Sequence, residues 1–489
     1  LKNEVFAHYQ KLDLAFYKRN NTGDLMNRIS EDVSQVRMYL GPAVMYTINL
    51  AILFVLVISS MVETNGELTL LVLAPLPIMS VIIYYVSKII NKKSELVQQQ
   101  QSWLSRFVQG TFSGIRVLKA FQREKEFSKE FDDASEEYLN RNMSLVRTNA
   151  LFMPTIVMLI GLSTIITIWV GGIKAMNGEI TNGNIAEFVI YVNMLTWPFA
   201  SVGWVTSLVQ RAAASQKRIN EFLRTEPVIV NGREEPDALE GRIEFDNVSF
   251  TYPDSGIEAL HDVSFRVDPG ETLAIIGHTG SGKSTIANLL CRLYDPTQGT
   301  IRFDDKDLRE MNLSDMRDSI GYVPQEVFLF SDSIANNISF GMKRTATQEE
   351  IDQAAKDADV YHNIVDFPEG FDTRLGERGI NLSGGQKQRI SIARAIIKDP
   401  NLLIFDDCLS AVDTETEEKI LNALKRIMKG KTAVIISHRV SSVKNADKIL
   451  VLENGTVAEQ GTHDELLTLN GIYKDIYEKQ LLEEQKVRT

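Results

Sequence analysis

The sequence predicts a membrane-spanning α-helical bundle followed by an α/β domain built on parallel strands, and three observations predict it. Four long charge-free segments lie between residues 38 and 210, whereas residues 231–489 are rich in Asp, Glu, Lys and Arg. A Gly-rich loop at 277–284 stands between a strand-like and a helix-like segment. A second apolar run, "NLLIF", ends in two adjacent carboxylates, Asp406 and Asp407. At 489 residues the chain is too long for one core.

The charge-free segments are 38–62, 68–87, 148–173 and 188–210. Each reaches the roughly 20 apolar residues that cross a hydrocarbon core as a helix. Spans are therefore expected at about 40–62, 68–88, 150–173 and 188–210, in a domain covering 1–223. Trp169, Trp197 and Trp204 are placed where membrane interfaces would hold them. Asn49, Asn193, Pro75 and Pro77 are candidates for a cavity lining, although the prolines read better as structural kinks.

Charge in the connections orients the spans. Residues 1–37 carry six basic residues and 88–147 carry eleven, while 63–67 has none and 174–187 has only Lys174. Basic connections stay inside, so 1–37, 88–147 and everything after 211 are expected in the cytoplasm. Residues 88–147 are helix formers without proline and read as cytoplasmic helical extensions, as do 1–37. "RTEPVIVNGREEPDALEG" has no sustained period, which makes 224–240 a linker and 241–489 the second domain. The net charge of −12 disfavours a nucleic-acid partner. With only Cys291 and Cys408 present, no disulfide framework is indicated. The chain opens on Leu1 without an initiator Met, and the expectation is a fragment that begins partway through a longer protein.

In the second half, "GRIEFDNVSFTYP" alternates as a strand does. Next comes Gly277-His278-Thr279-Gly280-Ser281-Gly282-Lys283-Ser284, the pattern G-x-x-x-x-G-K-[ST], followed by Thr285. Its small residues free backbone N–H groups to cradle phosphate, Lys283 neutralises phosphate charge, and the Ser284 hydroxyl suits Mg²⁺. The helix that follows adds its positive dipole end. "NLLIFDD" suits a strand buried on both faces that delivers Asp406 to the same metal–phosphate site. Between them, Leu382-Ser383-Gly384-Gly385-Gln386 opens an amphipathic helix with Ile390, Ile392, Ala393, Ile396 and Ile397 facing a core. This is a second anion-seeking loop, and one nucleotide does not need both. The economical reading is that each loop completes a site with another subunit.

These motifs, with "VPQE" around Gln325, "SAVD" at 410–413 and "SHR" around His438, stand in the order found in ATP-binding cassette (ABC) exporters. The chain resembles a half-transporter of that family over nearly its whole length. The fold implied is an ABC exporter type 1 transmembrane domain, with four of six spans present and the first two missing, fused to a P-loop NTPase nucleotide-binding domain.

The resemblance implies roles residue by residue. ATP would lie on the P-loop with Tyr252 stacked on adenine, and Mg²⁺ on Ser284, Gln325 and Asp406. Asp407, His438 and Gln325 would be catalytic. Ser383, Gly384, Gly385 and Gln386 would close on ATP held by the partner, with Asp413 at the dimer interface. "GERG" (376–379) looks like the exporter cross-talk segment, and 21–34 and 116–127 lie where two coupling helices dock. Partners implied are a second half-transporter, the lipid bilayer and a hydrophobic or amphipathic drug, lipid or peptide.

The carboxylate after the Mg²⁺ site is usually Glu, and here it is Asp407. Its shorter side chain withdraws the base, and a displacement of about 1 Å can cost on the order of 10²-fold in rate. The expectation is the weakly hydrolysing subunit of a heterodimeric exporter in the cytoplasmic membrane. The alternatives are a homodimer that uses Asp407 as base, or a membrane-bound cassette ATPase that moves nothing.

Overall fold

The computed structural model describes all residues except 233–238, 377, 378, 380, 409–413 and 489. Asp413 with the rest of "SAVD", Glu377 and Arg378 of "GERG", and the middle of the linker therefore lie outside the described residues. The chain divides into two units: Leu1–Phe6 with Gly23–Thr225, and Ala7–Thr22 with Glu226–Thr489.

Leu14–Arg19 (α1) belongs to the second unit. The first unit is helical, with Val44–Leu73 (α2), Pro75–Ser113 (α3), Glu124–Met176 (α4) and Asn182–Leu223 (α5) as its long elements. α2 is really two arms. Asn65 breaks it with extended backbone, φ −163° and ψ 108°, inside the turn expected at 63–67. The Asn65 side chain accepts the Leu68 N–H at 2.9 Å and starts the second arm. That arm runs on through Ala74, whose N–H donates to the Leu70 carbonyl at 3.1 Å, into α3.

Two helical runs, Thr22–Ser113 and Glu124–Met176, contain stretches with mean hydropathy 2.2 and 2.3 that are only 11% and 28% buried. One face packs inward through Val57, Met61, Leu68, Val72, Phe188 and Leu195. On the other, Val55, Leu56, Ile165 and Trp169 are exposed. A broad apolar surface of this kind needs a non-aqueous neighbour, which a bilayer supplies. Lys174, the lone cation of the connections at 63–67 and 174–187, is buried and donates to Glu67 and Glu179, each at 2.7 Å. The pairing explains how a positive charge is tolerated there.

The expected helical extension at 88–147 forms two antiparallel arms, the ends of α3 and α4, joined through the short helix Ile115–Ala120. Lys93 Nζ donates to the Ser144 carbonyl at 3.1 Å and to Thr148 Oγ1 at 2.8 Å. Gln100 Nε2 reaches the Ala134 carbonyl at 3.0 Å. These contacts hold the arms in register.

In the second unit, β1 (Ile243–Thr251), β2 (Glu258–Val267), β4 (Gln298–Phe303) and β5 (Lys306–Asp307) form an antiparallel sheet ordered β2-β1-β4-β5. The larger sheet contains β3 (Thr272–Gly277), β6 (Ile320–Val323), β7 (Leu402–Asp406), β8 (Thr432–Ile436), β9 (Lys448–Glu453) and β10 (Thr456–Gly461). Its order is β10-β9-β3-β8-β7-β6, parallel except for β10. β7 and β8 are buried at every position, as strands covered on both faces must be. Lys283–Leu290 (α6) and Gly384–Ile396 (α7) pack against this sheet.

Residues Ala7–Thr22 belong to the cassette unit. Ala15 is 5% exposed within that unit's core. Asp13 caps α1 by accepting the Phe16 N–H at 3.0 Å, and its other oxygen accepts the Val228 N–H at 2.9 Å. Residues 23–34 instead stay in the first unit, where the buried Asp32 accepts from Arg218 of α5.

Candidate functional site

Register brings the candidate residues to one end of the parallel sheet. Ile275 and Asp406 both pair with Ile436, and Val323 pairs with Phe405. The P-loop after β3, Gln325 after β6, Asp406 at the end of β7 with Asp407 after it, and His438 after β8 therefore leave the sheet side by side. The carboxyl end of a parallel sheet is where such folds bind ligands.

The P-loop is shaped by its glycines. Gly282 has φ +98°, and a Cβ there would meet the Ala259 carbonyl oxygen at 2.5 Å. Gly277 at φ +156° would meet the Leu452 carbonyl at 2.2 Å. Only glycine fits both a left-handed backbone and so close an approach. Gly280 has φ +84° and open space beside it, so its backbone is accessible to a ligand. His278 and Thr279 are exposed at the tip. Ser281 Oγ is buried with no hydrogen-bond partner, an orphan that an incoming oxygen would satisfy. Lys283 Nζ donates to the carbonyls of Gly277 and His278, both at 2.8 Å. Burial pushes its ammonium pKa down, against the pull of Asp407 and Asp406.

Ser284, in the first turn of α6, donates its hydroxyl to Asp406 Oδ1 at 3.0 Å. Asp406 is 3% exposed, and burial raises its pKa with help from the Asp407 charge, while Ser284 and Lys283 oppose the shift. A hydroxyl and a carboxylate at this spacing are hard oxygen donors that suit Mg²⁺, which takes few protein ligands and completes its shell with water and phosphate. The donor set fits.

Asp407 has φ +46°, a conformation that aspartate tolerates better than most residues. Its N–H donates to the Ile436 carbonyl at 2.8 Å, so β8 fixes its height. Oδ1 lies 2.8 Å from His438 Nδ1, and Oδ2 accepts from Gln325 Nε2 at 3.4 Å. The three expected catalytic residues thus meet on one carboxylate. Sequence reading missed Gln480, whose amide donates to the His438 carbonyl at 2.6 Å and accepts the Val440 N–H at 2.8 Å. No sequence signal ties a residue of a polar C-terminal helix to a loop forty positions earlier.

Ser383 caps α7. Its Oγ accepts the Gln386 N–H at 3.3 Å, while Gln386 Oε1 accepts the Ser383 N–H at 3.0 Å. This reciprocal capping box fixes the turn containing Gly384 and Gly385 and leaves its outer surface open. Ile390, Ile392, Ala393 and Ile396 face the core. Tyr252 is half-buried after β1, and its hydroxyl shares a hydrogen bond with Thr285 Oγ1 at 3.0 Å.

Comparison with known proteins matches both parts of the chain. The family described as the ABC transporter transmembrane region matches residues 1–199, and the family described as ABC transporter matches residues 260–410. The chain is 37% identical over 484 residues to the multidrug resistance-like ATP-binding protein MdlA of Escherichia coli K12, covering 99% of this chain and 82% of that protein. It is 36% identical over 473 residues to an ATP-dependent lipid A-core flippase of Pseudomonas fluorescens Pf0-1, covering 97% and 78%. A solved bacterial Atm1-family ABC exporter with ATP bound superposes with a TM-score of 0.83 at 29% identity, over 98% of this chain and 84% of that one.

Proposed function

This chain belongs to the ABC transporter family, with transmembrane region and cassette in one polypeptide, and from that premise we propose that it is the weakly hydrolysing half of a heterodimeric exporter. The proposed cargo is a hydrophobic or amphipathic molecule, as the multidrug and lipid names of its relatives suggest. It would cross the cytoplasmic membrane with the cassette on the inner side. The family couples ATP hydrolysis to transport.

The observation that carries this reading is the convergence of Ser284, Asp406, Asp407, Gln325 and His438 at the P-loop end of the sheet. The loop N–H groups and Lys283 bind the phosphates of ATP, Ser281 Oγ gains its missing partner there, and Tyr252 offers the base a π-face. Ser284, Asp406 and Gln325 would hold Mg²⁺, which would supply positive charge against the phosphates. His438 orients Asp407 and donates toward the terminal phosphate. The chemistry asked of the chain is positioning and charge stabilisation.

Ser383 to Gln386 form a preorganised turn on a separate element, so the proposal assigns them to ATP on the partner's P-loop, with Asp413 at the interface. Asp407 supplies the base, but its short side chain is already engaged at both oxygens by His438 and Gln325. That engagement favours a slow site. A second reading has one supporting observation: the Asp407–His438 pair is intact at 2.8 Å, so a homodimer could polarise water through it.

The deciding experiment compares ATP turnover at this chain's own site with and without Asp407→Glu, in an assembled transporter whose partner carries a substituted P-loop lysine so that the partner's site is silent. The expected result is a rise of tens to about 10²-fold, the loss attributed to a base withdrawn by about 1 Å. Unchanged or reduced turnover would show that Asp407 is already placed for catalysis and would favour the homodimer.

A further inference from the structure

We infer that Lys18 tunes affinity for the nucleotide base, because its ammonium and a purine compete for one face of Tyr252. The inference rests on the nucleotide-site reading above and deepens it. Lys18 lies more than two hundred residues from the P-loop in sequence, yet α1 is part of the cassette unit. Its placement is rigid. Asp13 ties the start of α1 both to the Phe16 N–H and to the Val228 N–H, and Ala15 is buried beneath it.

One turn after Asp13, Lys18 Nζ lies over the Tyr252 ring, 4.9 Å from its centroid, and 5.5 Å from that of Tyr294. Tyr252 cannot swing away. Its hydroxyl is held by Thr285 of α6, and it meets Phe250 and Tyr294 in edge-to-face contacts at 4.9 and 5.4 Å. Burial alone would push the Lys18 ammonium down, but Tyr294, Tyr252 and Asp254 outweigh it and hold the pKa above the ordinary lysine value. The side chain is a cation at neutral pH.

Stacked aromatic rings have centroids roughly 4.5–7 Å apart. At 4.9 Å the ammonium stands inside the layer that a stacked purine would fill. A cation over a ring face is a real attraction, and a base that takes the face must displace it. Coupling of this kind is reciprocal. Base binding therefore loosens α1 from the aromatic shelf, and α1 weakens base binding. The phosphates, held by the P-loop, do not take part.

The test uses the full chain reconstituted in lipid nanodiscs, with Mg-ADP and Mg-pyrophosphate as probes. The two share a diphosphate and differ by the nucleoside. Lys18→Met should tighten ADP binding about 2- to 5-fold, the range expected for an exposed cation–π contact, and leave pyrophosphate binding unchanged. Lys18→Arg should restore the affinity of the unsubstituted protein. Bound ADP, but not pyrophosphate, should also speed amide exchange in residues 14–19. An equal shift for both probes, or ADP binding that is unchanged or weaker in Lys18→Met, overturns the inference alone. An unsubstituted protein that binds neither probe overturns the nucleotide-site reading as well.

Discussion

Asp407 shows how much one methylene can decide. Its backbone is held by β8 and its carboxylate contacts His438 and Gln325, so reaching forward would mean giving up one of those contacts. The residue type was legible in the sequence, but the engagement of both its oxygens was not, because Gln325 and His438 come from different strands. Beside it, Cys408 is buried, and burial pushes its thiol up to about 12; Cys291 is pushed up to about 12 as well. Both thiols should resist maleimide at pH 8 in the folded protein and react on unfolding. A free thiol titrates near ~8.5. The unfolded chain therefore loses these protons first, and cassette stability should fall as pH rises above ~8.5 toward 12. Labelling read by mass spectrometry at pH 8, with and without denaturant, checks the first point. Denaturant midpoints at pH 7.5 and 9.5 check the second.

At the scale of elements, periodicity and motif context anticipated the P-loop strand and helix, the buried β7, the start of α7 and long helices over the charge-free segments. The attachment of α1 to the cassette unit was not anticipated. α1 has only six residues, too few for a hydrophobic period, and its attachment comes from one buried alanine and one forked aspartate. Asp13→Ala removes an N-cap, which costs about 0.5–2 kcal/mol, and also frees the Val228 N–H. Amide exchange across residues 14–20 should quicken, with little change in β3 or β7. Hydrogen exchange with mass spectrometry reads this directly, and unchanged protection in α1 would show that Ala15 packing alone holds the helix. Asn65 was visible only as part of a charge-free-flanked turn. Its structural role, an extended residue whose side chain starts the next helix, needed the backbone angles.

For the whole molecule, two separated phosphate-seeking elements on one chain point to a second cassette. Purified and reconstituted alone, the chain should show ATP turnover at least about 10-fold below that of the assembly with its cognate partner, since general-base placement contributes on the order of 10²–10⁴-fold. Comparable turnover by the chain alone would remove the heterodimer. The sequence by itself determined the two-part architecture, the phosphate loop and the identity of each acidic and signature residue. These follow from hydropathy, charge and fixed local spacing, which are properties of neighbouring residues. Only the tertiary structure decided that Gln325, Asp407 and His438 share one carboxylate, that Gln480 holds the His438 loop, and that Lys18 stands on the face of Tyr252. Those meetings depend on strand register and on a short helix docked from a distant part of the chain, and no local pattern encodes them.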